Sequence, residues 1–418
     1  MSTTAELGLP TSRMPALPIR ALMLGSLVSN IGNQITALAV PWFVLETTGS
    51  ASKTGIAAAV TMIPMVLSSL FGGTIVDRMQ QKHLAIFSDL LSCLTVAAVP
   101  LLYHTIGLNF GMLLALMFLG AMFDGPGSTA RQVMIPALAE RAGQPLEKVN
   151  SGFATISAIT TLAGAPLAGV LVALMGAANV LWFDAATFLV SSLLVLSFVP
   201  LAARSEPSGA SFLTDAREGL TFLMQQPGLR AIVFTATIIN FLISPLFGVV
   251  IPYFANTVYG SASQLGIVMG GFGLGGLLGA LAYGQFGMKW SRRGTFLGTM
   301  LVFTLPMWVM ALQPQVIAMT LLVLVIGLGA GMVNPMVMTL VQQLTPSHIL
   351  GRVMGTFGAT AMMAGPVGLL LGGSSISAIG LTATIVVIAV ISTLTTASTF
   401  INPNFRTFDH VETTAASP

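Results

Sequence analysis

The chain has 418 residues, is 55% hydrophobic and only 7% charged, and has a mean hydropathy of +0.90. Soluble globular proteins carry roughly 25% charged residues, so 13 acids, 16 Lys/Arg and 4 His cannot cover a water-soluble surface of this size. That excludes a soluble enzyme and a disordered scaffold. The net charge of +3 comes from dispersed bases rather than a nucleic-acid-binding tract, and the single cysteine, Cys93, forms neither an intrachain disulfide nor a metal site.

A spanning helix needs about 20 mainly apolar residues. In chain order such stretches fall at 20–45, 54–76, 84–104, 108–130, 149–175 and 178–200, and again at 229–257, 263–288, 295–312, 315–340, 352–373 and 376–401. The first is too long for a cleavable signal and is expected to remain a helix. The predicted fold is therefore an all-α membrane protein with twelve transmembrane helices in two six-helix bundles, 20–200 and 228–402. A linker, 201–227, joins them, and tails 1–19 and 403–418 flank them. The linker, with Arg204, Glu206, Asp215, Arg217 and Glu218, reads as an amphipathic bridge.

Charge tests this count independently. With the N-terminus inside, fifteen of the sixteen Lys/Arg fall in cytoplasmic segments and only Lys53 lies outside, as the positive-inside rule requires. Both termini, the linker and the tails are thus expected in the cytoplasm of a cell whose cytoplasmic membrane holds the bundles.

The two halves share a repeat. Residues 41–56, PWFVLETTGSASKTGI, and 252–267, PYFANTVYGSASQLGI, are identical at eight of sixteen positions at an offset of 211. At the same offset, Gly73, Asp77, Arg78 and Lys82 fall on Gly284, Met288, Lys289 and Arg293, which keeps each element except the acid. Two parallel six-helix repeats suit a machine whose halves rock about a midplane cavity.

Gly73-x-x-x-Asp77-Arg78 followed by Lys82, between the second and third spans, resembles the signature loop of the major facilitator superfamily. The opening span, SLVSNIGNQITALAVPWFVLETTGS, is similar to the branch containing macrolide efflux pumps and the enterobactin exporter. The likeness covers about 15–405. It implies a gating loop in which Asp77 caps the eleventh span near Gly351-Arg352 and holds the outward-open state, with Arg78 and Lys82 beside it. Carboxylates favour helix N-termini for reasons of charge alone. Met288 denies the second half the symmetric latch.

From Gly228 to Asn402 there is no Asp or Glu, so any carboxyl that carries a proton must lie in the first half. Asp124, in the FDGPG stretch of span four, is the deepest candidate. Arg131 stands seven residues on, along the same helical face, where it can act on that carboxyl. In the second half the equivalent place holds Asn334-Pro335. Asp89 reads as a partner for loop bases, and Glu46 and Asp184 as orientation or external-gate residues, the latter beside the interfacial Trp182. Asn33 in span one and Asn240 in span seven, with Phe241, are expected to line a central cavity, since polar groups in apolar spans usually face the interior. Family members often carry an acid after the first-span glycine, here Gly32-Asn33, and its loss shifts weight to Asp124.

Span five contains Gly164-Ala165-Pro166, which looks like the family's antiporter element interrupted by Ala165, and span eleven has Gly365-Pro366. Small residues permit close approach and a missing donor permits bending. The 24 methionines and 24 phenylalanines suit an adaptable lipophilic pocket. Gly271-x-Gly273-x-x-Gly276 sits inside an apolar span, with no strand before it, and is packing rather than a dinucleotide site.

These features imply a monomeric, proton-coupled exporter of lipophilic drugs or natural products, surrounded by membrane lipid. No cofactor is expected beyond the proton gradient. A facilitator or uptake carrier of the same architecture is the nearest alternative, and a membrane-embedded enzyme or receptor a more distant one, since no catalytic cluster appears.

Overall fold

A computed structural model describes residues 16–201, 212–346 and 349–405, without the side chains of 69–78, 212–215 and 288. Six long helices form the first half: α1 (Leu17–Thr48), α2 (Ala51–Arg78), α3 (Gln81–Thr105), α4 (Phe110–Arg141), α5 (Leu146–Met175) and α6 (Ala177–Phe198). A short helix follows, α7 (Phe212–Gln225). The second half comprises α8 (Pro227–Tyr259), α9 (Ala262–Phe286), α10 (Arg292–Met310), α11 (Val316–Leu344), α12 (Leu350–Ile379) and α13 (Leu381–Ile401). Leu246–Val250 and Ala255–Tyr259 wind as π turns within α8.

The two sets of six match the predicted spans in number and order. Among the described residues, ten of the twelve long helices are apolar enough to cross a membrane on length and composition alone. The other two have visible reasons: α1 is interrupted by Asn30, Asn33 and Gln34, and α10 is only 19 residues long and opens on Arg292 and Arg293. Several helices outrun their apolar stretch. The prediction ended the fourth span at 130, but α4 continues to Arg141, because backbone hydrogen bonding continues through polar turns until a cap or a glycine stops it. Arg131, counted as a loop base, is therefore a buried residue inside α4.

The repeat is also a repeat of local geometry. Gly49 and Gly260, equivalent at the offset of 211, both end their helix at φ +64, a left-handed cap that a side chain disfavours. Pro41 and Pro252 lie inside the helices just before them, and Phe43 and Phe254 are both buried.

The hydrophobic core distinguishes the two ends of the molecule. At the end carrying the Gly49 and Gly260 turns, one cluster joins both halves, from Phe43 and Ala51 through Val172 to Phe254, Leu265 and Leu369. At the other end, which carries α7, each half has its own cluster. Leu22, Leu84 and Met134 belong to the first, and Leu229, Phe296 and Val353 to the second. The bundles are joined at one end and separately packed at the other.

Helix α7 sits on the second half. Glu218 pairs with Arg352 at 2.5 Å, and Gly219 lies against the backbone of Arg352 on α12. Of the predicted bridge, the described part Phe212–Gln225 is a helix docked at the start of α12.

Candidate functional site

At the joined end, the halves meet along two helix pairs, α2 with α12 and α5 with α9. A methyl group on Gly169 of α5 would lie 2.6 Å from the Ala262 carbonyl oxygen and 2.8 Å from the Gly266 Cα. One on Gly373 of α12 would lie 2.5 Å from the Ala51 carbonyl oxygen and 3.2 Å from the Gly55 Cα. Ala51 and Gly55 are the repeat equivalents of Ala262 and Gly266, so the two contacts are copies of one another. Glycine serves here by letting backbones touch.

Farther along, α5, α9 and α11 enclose a crevice of about 370 Å3. Ala158, Thr161, Phe272, Gly276 and the Asn334-Pro335 pair line it. No charged side chain contributes to its wall. Phe272 meets Phe247 of α8 at a tilt of 58°, with ring centroids 4.5 Å apart.

The charged groups of the described membrane interior are concentrated in the first half. Arg131 donates to Asp89 Oδ1 at 2.7 Å, and Ser191 Oγ donates to Asp89 Oδ2 at 2.7 Å. All three are buried. A guanidinium, a carboxylate and a hydroxyl thus tie α4, α3 and α6 together. Asp89 is held by an intramembrane arginine rather than by loop bases. Arg131 also acts on Asp124, whose carboxyl faces Asn33 of α1, so the predicted Asp124–Arg131 neighbourhood exists with Asp89 as the direct ion-pair partner. Asn33 faces a carboxyl within its own bundle.

Asp184 has a different setting from the one expected of a gate residue near the membrane surface. It is fully buried while its neighbour Trp182 is 43% exposed. Thr36 of α1 donates to Asp184 Oδ2, and Thr187 Oγ1 lies 3.2 Å from Oδ1. Gly32 makes room for it: a Cβ there would collide with Asp184 and Thr187. The signal in the sequence was a polar stripe, Asp184-Thr187-Ser191, at helical spacing on α6, facing Gly25, Ser29 and Gly32 on α1.

Other predicted residues fall as follows. Gly164 is packed against the Gln34 side chain, and Pro166 against Gly270 of α9. Gly365 faces Met62 of α2 and Ser244 of α8, one residue before Pro366 inside α12. Asn240 turns its amide back to the Ala236 carbonyl at 3.0 Å, and Phe241 is half-buried, with its carbonyl against Gly368. Lys82 Nζ donates to the Leu196 carbonyl at 2.8 Å and so caps the end of α6. The side chains of Gly73, Asp77 and Arg78 lie outside the described residues, as do Arg204, Glu206 and the side chains of Asp215 and Met288.

Two repeated six-helix bundles, in contact at one end and separately packed at the other, define a secondary transporter rather than an enzyme. Residues 14–418 match the transmembrane secretion effector family. The chain belongs to that family, within the major facilitator superfamily. It is 35% identical to the multidrug efflux pump Tap of Mycolicibacterium fortuitum over 88% of this chain and 91% of that protein. It is 22% identical to macrolide efflux protein A of Streptococcus pyogenes over 83% and 86%. Its fold is similar to that of the nucleoside transporter NupG, with a TM-score of 0.78 at 13% identity, covering 92% of this chain and 99% of that one.

Proposed function

We propose that the protein exports lipophilic drug-like molecules or natural products across the cytoplasmic membrane in exchange for entering protons, working as a monomer with both termini in the cytoplasm. The observation that carries the proton half of this reading is the placement of Asp124. It stands between Asn33 and the Asp89–Arg131 pair, and the second half from Gly228 to Asn402 holds no acid at all. Protonation of Asp124 frees Arg131 to commit to Asp89, and loss of the proton draws it back. A cycle of that kind couples charge to helix position because Arg131 and Asp124 share α4 while Asp89 sits on α3, so the tie between α4 and α3 is made or loosened.

The substrate half rests on the crevice and the relatives. A wall of alanine, glycine and phenylalanine with a few neutral polar groups suits a bulky apolar molecule better than a sugar or an anion. The relatives named above are multidrug and macrolide efflux pumps. With the termini inside, the parted end of the bundles faces the cytoplasm, ready to load. The Asp77 loop is proposed to close that end against α12, with Arg78 and Lys82 as its basic flank. Asn240 and Phe241 would border the path as α8 moves, and the Gly164-Pro166 and Gly365-Pro366 segments would take up the bending.

The test is dye efflux from cells lacking other pumps. Efflux should stop when a protonophore collapses the gradient, and Asp124→Asn should abolish uphill efflux. Full uphill efflux by Asp124→Asn overturns the proton assignment. Net uptake driven by an inward substrate gradient alone would favour a facilitator.

A further inference from the structure

We propose that the seam between α5 and the α9–α11 pair, and not its repeat counterpart between α2 and α12, is the substrate subsite. It selects apolar molecules that carry a neutral hydrogen-bonding group, such as an amide, a hydroxyl or an aromatic amine. This rests on the export reading above and deepens it by naming the chemistry of the cargo and the residues that recognise it.

The two seams begin alike and then diverge. Between α5 and α9, the backbone contact at Gly169 and Gly266 is followed by a second, where a methyl group on Gly273 would lie 2.7 Å from the Thr161 carbonyl oxygen. Past it, towards the end carrying α7, the helices part and leave the crevice of about 370 Å3. That volume lies at the lower end of ligand pockets, roughly 300–1,000 Å3. Its far wall is fixed, because Gly275 and Gly279 of α9 lie against the Leu324 and Leu328 carbonyls of α11, and Gly331 of α11 against the Gly276 carbonyl. At the offset of 211, Gly273 and Gly276 correspond to Met62 and Met65 of α2. Met62 occupies the matching seam, its thioether and methyl end lying where a side chain on Gly365 of α12 would go. Glycine keeps one seam open where methionine fills the other.

The polar side chains of the crevice are Ser157 and Thr161 on α5 and Asn334 on α11. All three are exposed, and none is bonded to another described residue. They border one space from both halves of the molecule, among alanine, glycine and Phe272. Hydroxyls and a carboxamide each donate and accept, so they pair with a neutral donor or acceptor and offer no counter-charge to a free carboxylate or phosphate. An apolar molecule that covers them without bonding leaves them unsatisfied, at a desolvation cost. Sites of this kind reject analogues that lack the matching group. An occupant bonded to Ser157 or Thr161 and to Asn334 at once spans the two bundles, and it loses one set of bonds when α5 moves relative to the α9–α11 wall. Affinity therefore differs between the two ends of the cycle, as loading on one side and release on the other require.

The experiment measures equilibrium binding of radiolabelled ethidium and tetraphenylphosphonium to the purified full chain in nanodiscs. Both probes are apolar cations, but only ethidium carries hydrogen-bonding groups, its aromatic amines. Asn334→Leu should weaken ethidium binding about three- to tenfold and leave tetraphenylphosphonium binding unchanged. Gly276→Met places on α9 the residue that α2 carries. Nothing stands nearer its Cβ than the Gly327 carbonyl oxygen at 3.8 Å, so the side chain has room and takes up the crevice. It should weaken both probes by about tenfold or more at an unchanged melting temperature, and Ala154→Met, from the α5 wall, is read in its place should it fail to fold. Wild-type affinity for both probes in the methionine variant would overturn the placement. Equal weakening of both probes by Asn334→Leu, or none, would overturn the hydrogen-bonding assignment. If the wild-type chain neither binds nor transports either probe, the export reading itself fails, and the subsite with it.

Discussion

Arg131 on α4 and Asp89 on α3 are joined across 2.7 Å with both side chains out of water. An ion pair so placed repays its desolvation only while both partners are present, and removing one typically costs about 3–5 kcal/mol. Arg131→Ala should therefore destabilise the first bundle by that order, read as a lowered melting temperature in detergent. Replacing both together, Arg131→Met with Asp89→Leu, should recover much of the loss while leaving transport dead. Equal stability of the single and double variants would mean that the pair contributes little.

The joined end gives a second expectation. Gly169 and Gly373 each place a helix backbone directly on its partner from the other half, and overpacking such a contact typically costs about 1–3 kcal/mol. Gly169→Val should weaken closure there, and Gly373→Val should do the same because its contact is the repeat copy. The measurement is the labelling rate of a cysteine placed at Ala262, in a background where Cys93 is serine. Both variants should raise it. A response to only one would mean that the two contacts are not mechanically equivalent.

Much of this was legible in the sequence, and the exceptions share a cause. Twelve long helices, two halves and the equivalence of Gly55 with Gly266 follow from apolar length and a repeat, both one-dimensional properties. The true partner of Arg131 and the burial of Asp184 do not, because each depends on a neighbouring helix far away in the chain. Asp184 lies beneath Gly32, 152 positions earlier (184 − 32), and only the stripe Asp184-Thr187-Ser191 hinted at an inward face. Helix ends such as Arg141 were missed because the apolar pattern stops before the backbone does.

At the parted end, Glu218 and Arg352 are 45% and 38% exposed. An exposed pair of this kind is worth at most about 1 kcal/mol. Glu218→Gln should leave the melting temperature nearly unchanged but speed amide exchange in α7, and Glu218→Arg combined with Arg352→Glu should restore the slower exchange. Identical exchange in all three proteins would show that α7 is held by apolar contacts instead.

The central claim is that one bundle carries the protons and both carry the substrate. Recording proton and ethidium movement simultaneously in the same liposomes tests it most directly, comparing the wild-type chain with Asp124→Asn. The account predicts opposed fluxes in a fixed ratio for the wild type, and loss of proton movement in Asp124→Asn together with its uphill ethidium transport. Ethidium accumulation by the wild-type protein with no accompanying proton movement, at any imposed gradient, would contradict it.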